Sequence, residues 1–215
     1  MKTLIVEGGS SAYGMHAGAY GGWAAQLHRD SILANEQRVF DPIVVTNHAL
    51  PGLTLTGVNI RFAARNTPAN NRPSRDGTKT RILSVGINEA KIMPGWTSPI
   101  ISLGRFASEL VSFSDHSADI GMNVLYVGPQ PVDEALTLPS SDTNVILQND
   151  LIEQYAGLMR DQAANDAAAY IDVRAALSRH DLTDVTAFDG RHPNTLGHQL
   201  IYHEIQAALG DFFTA

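Results

Sequence analysis

The chain has 215 residues, 44% of them hydrophobic and 17% charged, a balance that suits a folded globular domain and argues against a disordered chain or a coiled coil. Its formal net charge of -7 disfavours contact with a polyphosphate backbone, so we expect no nucleic-acid partner. The absence of cysteine excludes a disulfide framework, a thiolate metal site and a thiol nucleophile.

The first segment, from Met1 to Val6, is interpreted as a strand. It has one basic residue, its apolar run is too short for a signal peptide, and Glu7 interrupts it. Elsewhere no window approaches the roughly 20 apolar residues of a membrane helix, so the sequence predicts a cytoplasmic protein without a membrane partner. A cytoplasmic protein is the simplest account, although a secreted protein made as a longer precursor is also compatible with these residues.

Short apolar runs alternate along the chain with stretches of helical periodicity, which is typical of a parallel sheet covered by helices on both faces. Five runs rich in Val, Ile or Leu are predicted to be buried strands. They are Leu4–Val6, Pro42–Val45, Ile82–Val85, Val124–Val127 and Tyr170–Val173. The sequence therefore predicts an α/β protein with a five-stranded parallel sheet, forming one domain over residues 1–215.

Three longer segments have apolar residues at helical spacing and are predicted to be amphipathic helices. The first contains Phe106, Leu110 and Phe113; the second contains Leu151, Tyr155, Leu158 and Met159. The third begins just after Pro193-Asn194 and ends at Gly210, which is a suitable C-cap. The polar stretch Asn66–Lys79, with its prolines and glycine, is expected to be an exposed loop between the second and third strands.

Ligands of an open parallel sheet bind beyond the C-terminal ends of its strands, so the residues that follow each predicted strand are candidates for function. Ser10 follows the first strand in the sequence Gly8-Gly9-Ser10, Gly52 follows the second, and Asn88 follows the third. A further polar loop, Asp189-Gly190-Arg191-His192, precedes the last helix. These segments could therefore meet at one edge of the sheet.

Ser10, His192 and Asp189 have the chemistry of a catalytic triad. A serine is a weak nucleophile near neutral pH and needs a histidine to take its proton, with a carboxylate to hold the tautomer of that histidine. The three-residue separation of Asp189 and His192 lets one loop present both groups, with the carboxylate accepting from ring Nδ1. Donors for the oxyanion could be the backbone N–H groups of Ser10 and Gly52 and the side-chain amide of Asn88.

In order and spacing, these segments resemble the sequence blocks of the GDSL, or SGNH, hydrolase family over nearly the whole chain. The Ser, Gly, Asn and His of that family correspond to Ser10, Gly52, Asn88 and His192, and Asp189 stands in its D-x-x-H pattern. The resemblance implies a flavodoxin-like three-layer α/β/α fold and a serine esterase that hydrolyses short acyl esters, for example acetyl esters. It implies a small-molecule ester as partner and neither a metal nor an organic cofactor, and it leaves the oligomeric state open.

Two residues depart from the family pattern. Gly9 stands where the family has Asp, so any hydrogen bond that this Asp makes around the nucleophile turn is absent. Glu89 replaces the Asp of the G-x-N-D block, which keeps the charge but places it on a longer side chain. Neither change affects a member of the predicted triad or an oxyanion donor.

Two other functions are compatible with parts of the sequence. The first is an inactive or catalytically weak protein on the same scaffold that binds a small molecule or carbohydrate. Gly9 in place of the family Asp favours it, whereas the intact Ser, Asn, Asp and His argue against it. A flavin or dinucleotide protein follows from fold class alone, but no G-x-G-x-x-G follows the first strand. Each motif taken alone also fits ordinary turn or cap chemistry, so the enzyme interpretation depends on their occurring together.

Overall fold

A central sheet of five parallel strands organises the structure, a computed structural model that describes residues 1–36, 42–65, 78–140 and 143–213. The strands are β1 (Lys2–Gly8), β2 (Ile43–Asn47), β3 (Lys79–Ser84), β4 (Asn123–Val127) and β5 (Ala169–Ile171). Their order across the sheet is β2-β1-β3-β4-β5. The chain therefore changes direction across the sheet between β1 and β3, and such a switch point opens a crevice at the C-terminal ends of the strands.

Helices connect the strands and follow the last of them. In the described ranges the α-helices are α1 (Ser10–Tyr13), α2 (Trp23–Glu36), α3 (Leu55–Arg65), α4 (Leu103–Asp119), α5 (Glu134–Thr137), α6 (Asn149–Asn165), α7 (Val173–Leu177), α8 (Leu182–Val185) and α9 (Thr195–Leu209). Short 3₁₀ turns cover Gly18–Tyr20 and Gly210–Phe212. Within the same ranges, every helix is too short or too polar to cross a bilayer.

The helices cover both faces of the sheet and form a three-layer α/β/α arrangement. Residues of α2, α7 and α9 share one buried apolar cluster with Ile82, while residues of α3, α4 and α6 share another with Leu83. Adjacent residues of a strand point to opposite faces, so these two neighbours enter different cores. The structure confirms the predicted α/β class and the five-stranded parallel sheet.

The first four strands are longer than predicted, and two of them include a buried charge that the prediction left outside the strand. β1 continues through Glu7, and β3 begins before Arg81 rather than at Ile82. The two charged side chains pair with each other, since Arg81 Nε and Nη2 donate to Glu7 Oε2 at 2.9 and 2.5 Å. The pairing makes both charges compatible with the interior of a sheet.

The guanidinium of Arg81 also lies between two aromatic rings. Its central carbon is 3.5 Å from the ring centroid of Phe62 and 3.8 Å from that of Phe113. Nη1 donates to Ser117 Oγ at 2.7 Å, and the side chain is fully buried. Cation–π contacts of a desolvated guanidinium stabilise the ion in the absence of water.

The fifth strand is shorter than predicted and ends at Ile171 rather than at Val173. Asp172 ends it by capping α7, because its Oδ1 accepts from the backbone N–H of Ala175 at 2.9 Å. An N-cap satisfies a helix donor that would otherwise have no partner. Val173 is therefore the first residue of a helix, although its β-branched side chain favoured a strand.

The three predicted helices are confirmed as α4, α6 and α9. Asn194 caps the start of α9, where its Oδ1 accepts from Gly197 N at 3.1 Å, and Gly210 is the C-cap. The loop predicted over Asn66–Lys79 lies largely outside the described residues, and Lys79 itself begins β3.

Candidate active site

Ser10 lies at the turn where β1 ends and α1 begins, at the switch point of the sheet. As the first residue of a helix, it has a backbone N–H without an intrahelical partner. Its side-chain oxygen faces the loop that precedes α9, with Ser10 Oγ and His192 Nε2 2.6 Å apart. The structure thus brings together two residues that are 182 positions apart in the chain.

A continuous hydrogen-bonded relay joins Ser10, His192 and Asp189. His192 Nδ1 and Asp189 Oδ2 are 2.5 Å apart on the other side of the ring from the serine. In the tautomer that donates from Nδ1 to the carboxylate, Nε2 has a lone pair that accepts from the serine hydroxyl. His192 is 8% exposed, so this relay is largely shielded from water.

Asp189 is fixed by several donors besides the ring of His192. Its Oδ1 accepts from the backbone N–H groups of Arg191 and His192, both at 3.1 Å, and Arg191 Nε lies 3.3 Å from Oδ2. Gly190 turns the chain between Asp189 and Arg191. Its φ is 67°, a left-handed conformation that residues with a side chain disfavour. Burial by itself would raise the pKa of Asp189, but the hydrogen bond and charge interaction with His192 hold it well below its usual value.

Asn88 and Gly52 line the same cleft as Ser10 and His192, a space of ≈ 180 Å³. Asn88 Nδ2 donates to the carbonyl oxygen of Leu53 at 2.9 Å, which orients the amide. The same nitrogen has a second hydrogen that can be donated to another acceptor. The residues that the sequence predicts for an oxyanion hole are therefore neighbours of the serine at one cleft.

Gly9 makes room for Asn88. A Cβ at Gly9 would lie 2.7 Å from Asn88 Nδ2, a distance that side-chain atoms do not adopt without one of them moving. The residue that departs from the family pattern is thus in close contact with a predicted oxyanion donor. In this chain, the absence of a side chain at position 9 leaves space for the side-chain amide of Asn88.

Glu89, the second departure, joins two loops of the cleft. It is fully buried, and its Oε1 accepts from Leu55 N at 2.5 Å while its Oε2 accepts from Gly86 N at 2.8 Å. Burial raises the pKa of Glu89, and the two backbone donors oppose that rise. Because Leu55 begins α3 and Gly86 follows β3, the carboxylate links the segment after Gly52 to the segment before Asn88.

Two further hydrogen bonds tie the turn after β1 to α9. His198 Nε2 lies 3.0 Å from the carbonyl oxygen of Met15 and donates to it, while Thr195 Oγ1 donates to the carbonyl oxygen of Ala17 at 3.1 Å. His198 is fully buried. The segment that follows Ser10 is therefore held by the same helix that follows His192.

Acid should destabilise the protein through His198. Burial lowers the pKa of His198 from 6.5 to about 4, so between these values the unfolded chain binds a proton that the folded protein does not. The free energy of unfolding should therefore fall as the pH is lowered through this window, by about 1.4 kcal/mol per pH unit at most and about 3 kcal/mol in total. Urea unfolding measured from pH 7 to pH 4 checks this.

The variant His198→Gln should lose this part of the pH dependence, because glutamine keeps an N–H donor but does not titrate. His180→Gln is the matched control, since His180 is exposed and is not among the residues that line the cleft. Equal slopes for the wild type and His198→Gln would contradict the assignment.

The sequence did not indicate His16 as a site residue, although the structure places it against the relay. His16 Nε2 lies 3.4 Å from Asp189 Oδ2. No spacing rule relates His16 to Ser10 or to the Asp189 loop, so only the folded chain reveals the contact. Arg191 was also missed, but its position between Asp189 and His192 in the sequence was a usable signal.

This combination of a flavodoxin-like strand order with a Ser, His and Asp relay at the switch point is that of the SGNH hydrolase class. The profile of the GDSL-like Lipase/Acylhydrolase family matches residues 5–200. The chain belongs to this family.

Solved structures with the same fold cover nearly the whole chain at low sequence identity. A lipase/acylhydrolase from Enterococcus faecalis is 16% identical with a TM-score of 0.70, covering 97% of this chain and 95% of that one. An acetylxylan esterase from Geobacillus stearothermophilus is 17% identical with a TM-score of 0.71, covering 97% and 94%. LAE5, an alpha/beta hydrolase enzyme from the metagenome of Lake Arreo, Spain, is 18% identical with a TM-score of 0.72, covering 98% and 95%.

At these identities, the structural comparisons establish a shared fold. A search of curated protein sequences found no match to the chain.

Proposed function

We propose that the protein is a serine ester hydrolase that acts on short-chain acyl esters, such as acetyl esters, through an acyl-enzyme. Ser10 is the nucleophile, His192 is the general base and Asp189 orients the imidazole. The backbone N–H groups of Ser10 and Gly52 and the side chain of Asn88 hold the oxyanion. The observation that carries the proposal is the 2.6 Å contact between Ser10 Oγ and His192 Nε2, continued at 2.5 Å from Nδ1 to Asp189.

In the acylation step, Ser10 Oγ attacks the ester carbonyl carbon and its proton passes to His192 Nε2. Asp189 stabilises the imidazolium that forms, and the oxyanion donors stabilise the tetrahedral intermediate. Collapse of the intermediate breaks the bond to the alcohol oxygen, which leaves with the proton from Nε2. Water then attacks the acyl-enzyme with the same histidine as base, which releases the acid and restores the serine.

The size of the cleft and the comparisons support a short acyl group. At ≈ 180 Å³ the cleft is smaller than the roughly 300–1,000 Å³ of drug-sized ligand sites. One protein of the same fold is an acetylxylan esterase, which makes acetyl esters the first substrates to test. The mechanism requires neither a metal nor an organic cofactor, and we propose that residues 1–215 act as a single hydrolase domain.

The close fit of Gly9 against Asn88 supports the enzyme over an inactive binding protein. Gly9 favours the binding protein only if the loss of the family Asp at this position also means a loss of activity. A glycine that makes room for an oxyanion donor is instead compatible with an intact site.

Labelling with a fluorophosphonate tests the proposal directly. An activated serine should form a covalent adduct, and peptide mass spectrometry should place it on Ser10 alone, because only this serine has an imidazole positioned to take its proton in the site described above. Turnover of p-nitrophenyl esters should be highest for acetate or propionate and should fall as the acyl chain lengthens. A folded protein that is neither labelled nor active on any ester of the series would contradict the proposal and favour the binding protein.

A further inference from the structure

Asp189 interacts with two imidazole rings rather than one. Its Oδ2 lies 2.5 Å from His192 Nδ1 and 3.4 Å from His16 Nε2. The two rings also meet each other, with centroids 5.3 Å apart and planes tilted by 56°. Phe188 contacts His16 edge to face at 5.0 Å, which places an apolar surface beside that ring.

The backbone holds His16 in a conformation that side chains disfavour. Its φ is 61°, in the left-handed region, which non-glycine residues adopt infrequently. The carbonyl groups on either side, those of Met15 and Ala17, accept the hydrogen bonds from His198 and Thr195 of α9. A strained residue that is fixed on both sides by long-range hydrogen bonds is a candidate for a functional position.

His16 must act on His192 electrostatically, through the carboxylate oxygen that both rings approach. A ring whose Nε2 carries a proton presents a positive N–H dipole or a positive charge to Asp189 Oδ2 at 3.4 Å. Either state weakens the stabilisation that Asp189 offers to a protonated His192. The effect is local, because the contact is direct and Asp189 is largely shielded from water.

Other ionisable groups face this pair from neighbouring segments. Arg191 Nε lies 3.3 Å from the same Oδ2, and His198 approaches from α9, where burial lowers its pKa to about 4. Lys91 lines the cleft together with His192. The same three groups are present in the wild type and in every His16 variant, so a difference between the variants reports the change at His16.

We infer that His16 is a positioning residue for the Ser10–His192–Asp189 triad, one that fixes the Asp189 carboxylate and moderates how strongly it stabilises a protonated His192. This inference rests on the proposed function. It gives the strained turn after Ser10 a role in the chemistry of the site.

The test compares two variants with opposite expected effects. His16→Asn keeps a residue that tolerates the left-handed backbone, but its side chain is too short to reach Asp189. The acid limb of the pH profile of kcat/KM should therefore move to higher pH, by about half a unit, which is about a threefold loss at a fixed acidic pH. His16→Lys places a permanent positive charge at the position, so the acid limb should move to lower pH by a similar amount.

His180→Asn is the control, because His180 is exposed and is not among the residues that line the cleft. Its acid limb should coincide with that of the wild type. A structural disturbance would move both His16 variants in the same direction, whereas the inference requires opposite shifts. Coincident acid limbs for the wild type and both His16 variants would overturn it.

Proton NMR gives a second measurement that does not depend on turnover. The Nδ1 proton of His192 should resonate downfield of the amide region because it lies in a short hydrogen bond to Asp189, and its pH titration should show the same order of midpoints. If the midpoint of the His192 titration is highest in His16→Asn and lowest in His16→Lys while no ester is turned over, the proposed function fails and the role of His16 stands. If esters are turned over but the midpoints coincide, the role of His16 fails alone.

Discussion

Ser10→Ala should reduce kcat for a short acyl ester by about 10⁴- to 10⁶-fold, the range found when triad members are removed from other serine hydrolases. The hydroxyl that donates its proton to His192 is the only group lost, so the fold and Tm should change little. The residual rate should come from the oxyanion donors and from substrate binding. Steady-state kinetics with p-nitrophenyl acetate, together with a thermal melt of each protein, measure both quantities.

The matched control is Ser108→Ala, which removes an exposed hydroxyl from α4 whose hydrogen bond goes to the backbone of its own helix. This variant should keep wild-type turnover. A Ser10→Ala protein that retains more than about one tenth of the wild-type kcat would be incompatible with a covalent mechanism at this serine.

Arg81→Met should lower the free energy of unfolding by about 3–5 kcal/mol, the largest stability effect that we expect from a single substitution outside the site. The change leaves the carboxylate of Glu7 buried without its main partner, whose Nη2 now donates to it at 2.5 Å. It also removes the cation from between the rings of Phe62 and Phe113. Urea unfolding at neutral pH measures the loss.

The double variant Glu7→Leu with Arg81→Met separates the buried charge from the packing. It should recover most of the lost stability, because an apolar pair of similar volume has no desolvation penalty. Arg105→Met is the surface control: its ion pair with Glu109 is on an exposed side chain and should contribute within about 1 kcal/mol. Equal losses in the free energy of unfolding for Arg81→Met and Arg105→Met would contradict a larger contribution from the buried pair.

The strands could be predicted from their apolar runs, but their ends could not be predicted from local pattern. Glu7 appeared to interrupt β1 and Arg81 lay outside the predicted third strand, and only the register of the sheet reveals that they neutralise each other. Asp172 had the opposite effect, because its capping of α7 shortens β5. In both cases a contact made by the folded chain overrides the local preference of the residue.

The candidate site was more accessible to prediction than its surroundings. Ser10, Gly52 and Asn88 follow from the rule that strand ends carry function, and the Asp189 loop follows from its D-x-x-H pattern. The structure brings Ser10, Gly52, Asn88 and His192 to one cleft. Their catalytic roles remain predictions. His16 could not be predicted, because its contact with Asp189 depends on hydrogen bonds between the turn after β1 and α9.

The relay has a consequence for how activity returns when the denatured protein refolds. Its serine and imidazole lie 182 positions apart, and the bonds from Thr195 and His198 bridge similar separations. No folding intermediate in which α9 is still detached can contain the relay, however complete its sheet is. The rate at which ester turnover recovers would therefore report the docking of α9. The far-ultraviolet circular dichroism signal would report the earlier formation of secondary structure.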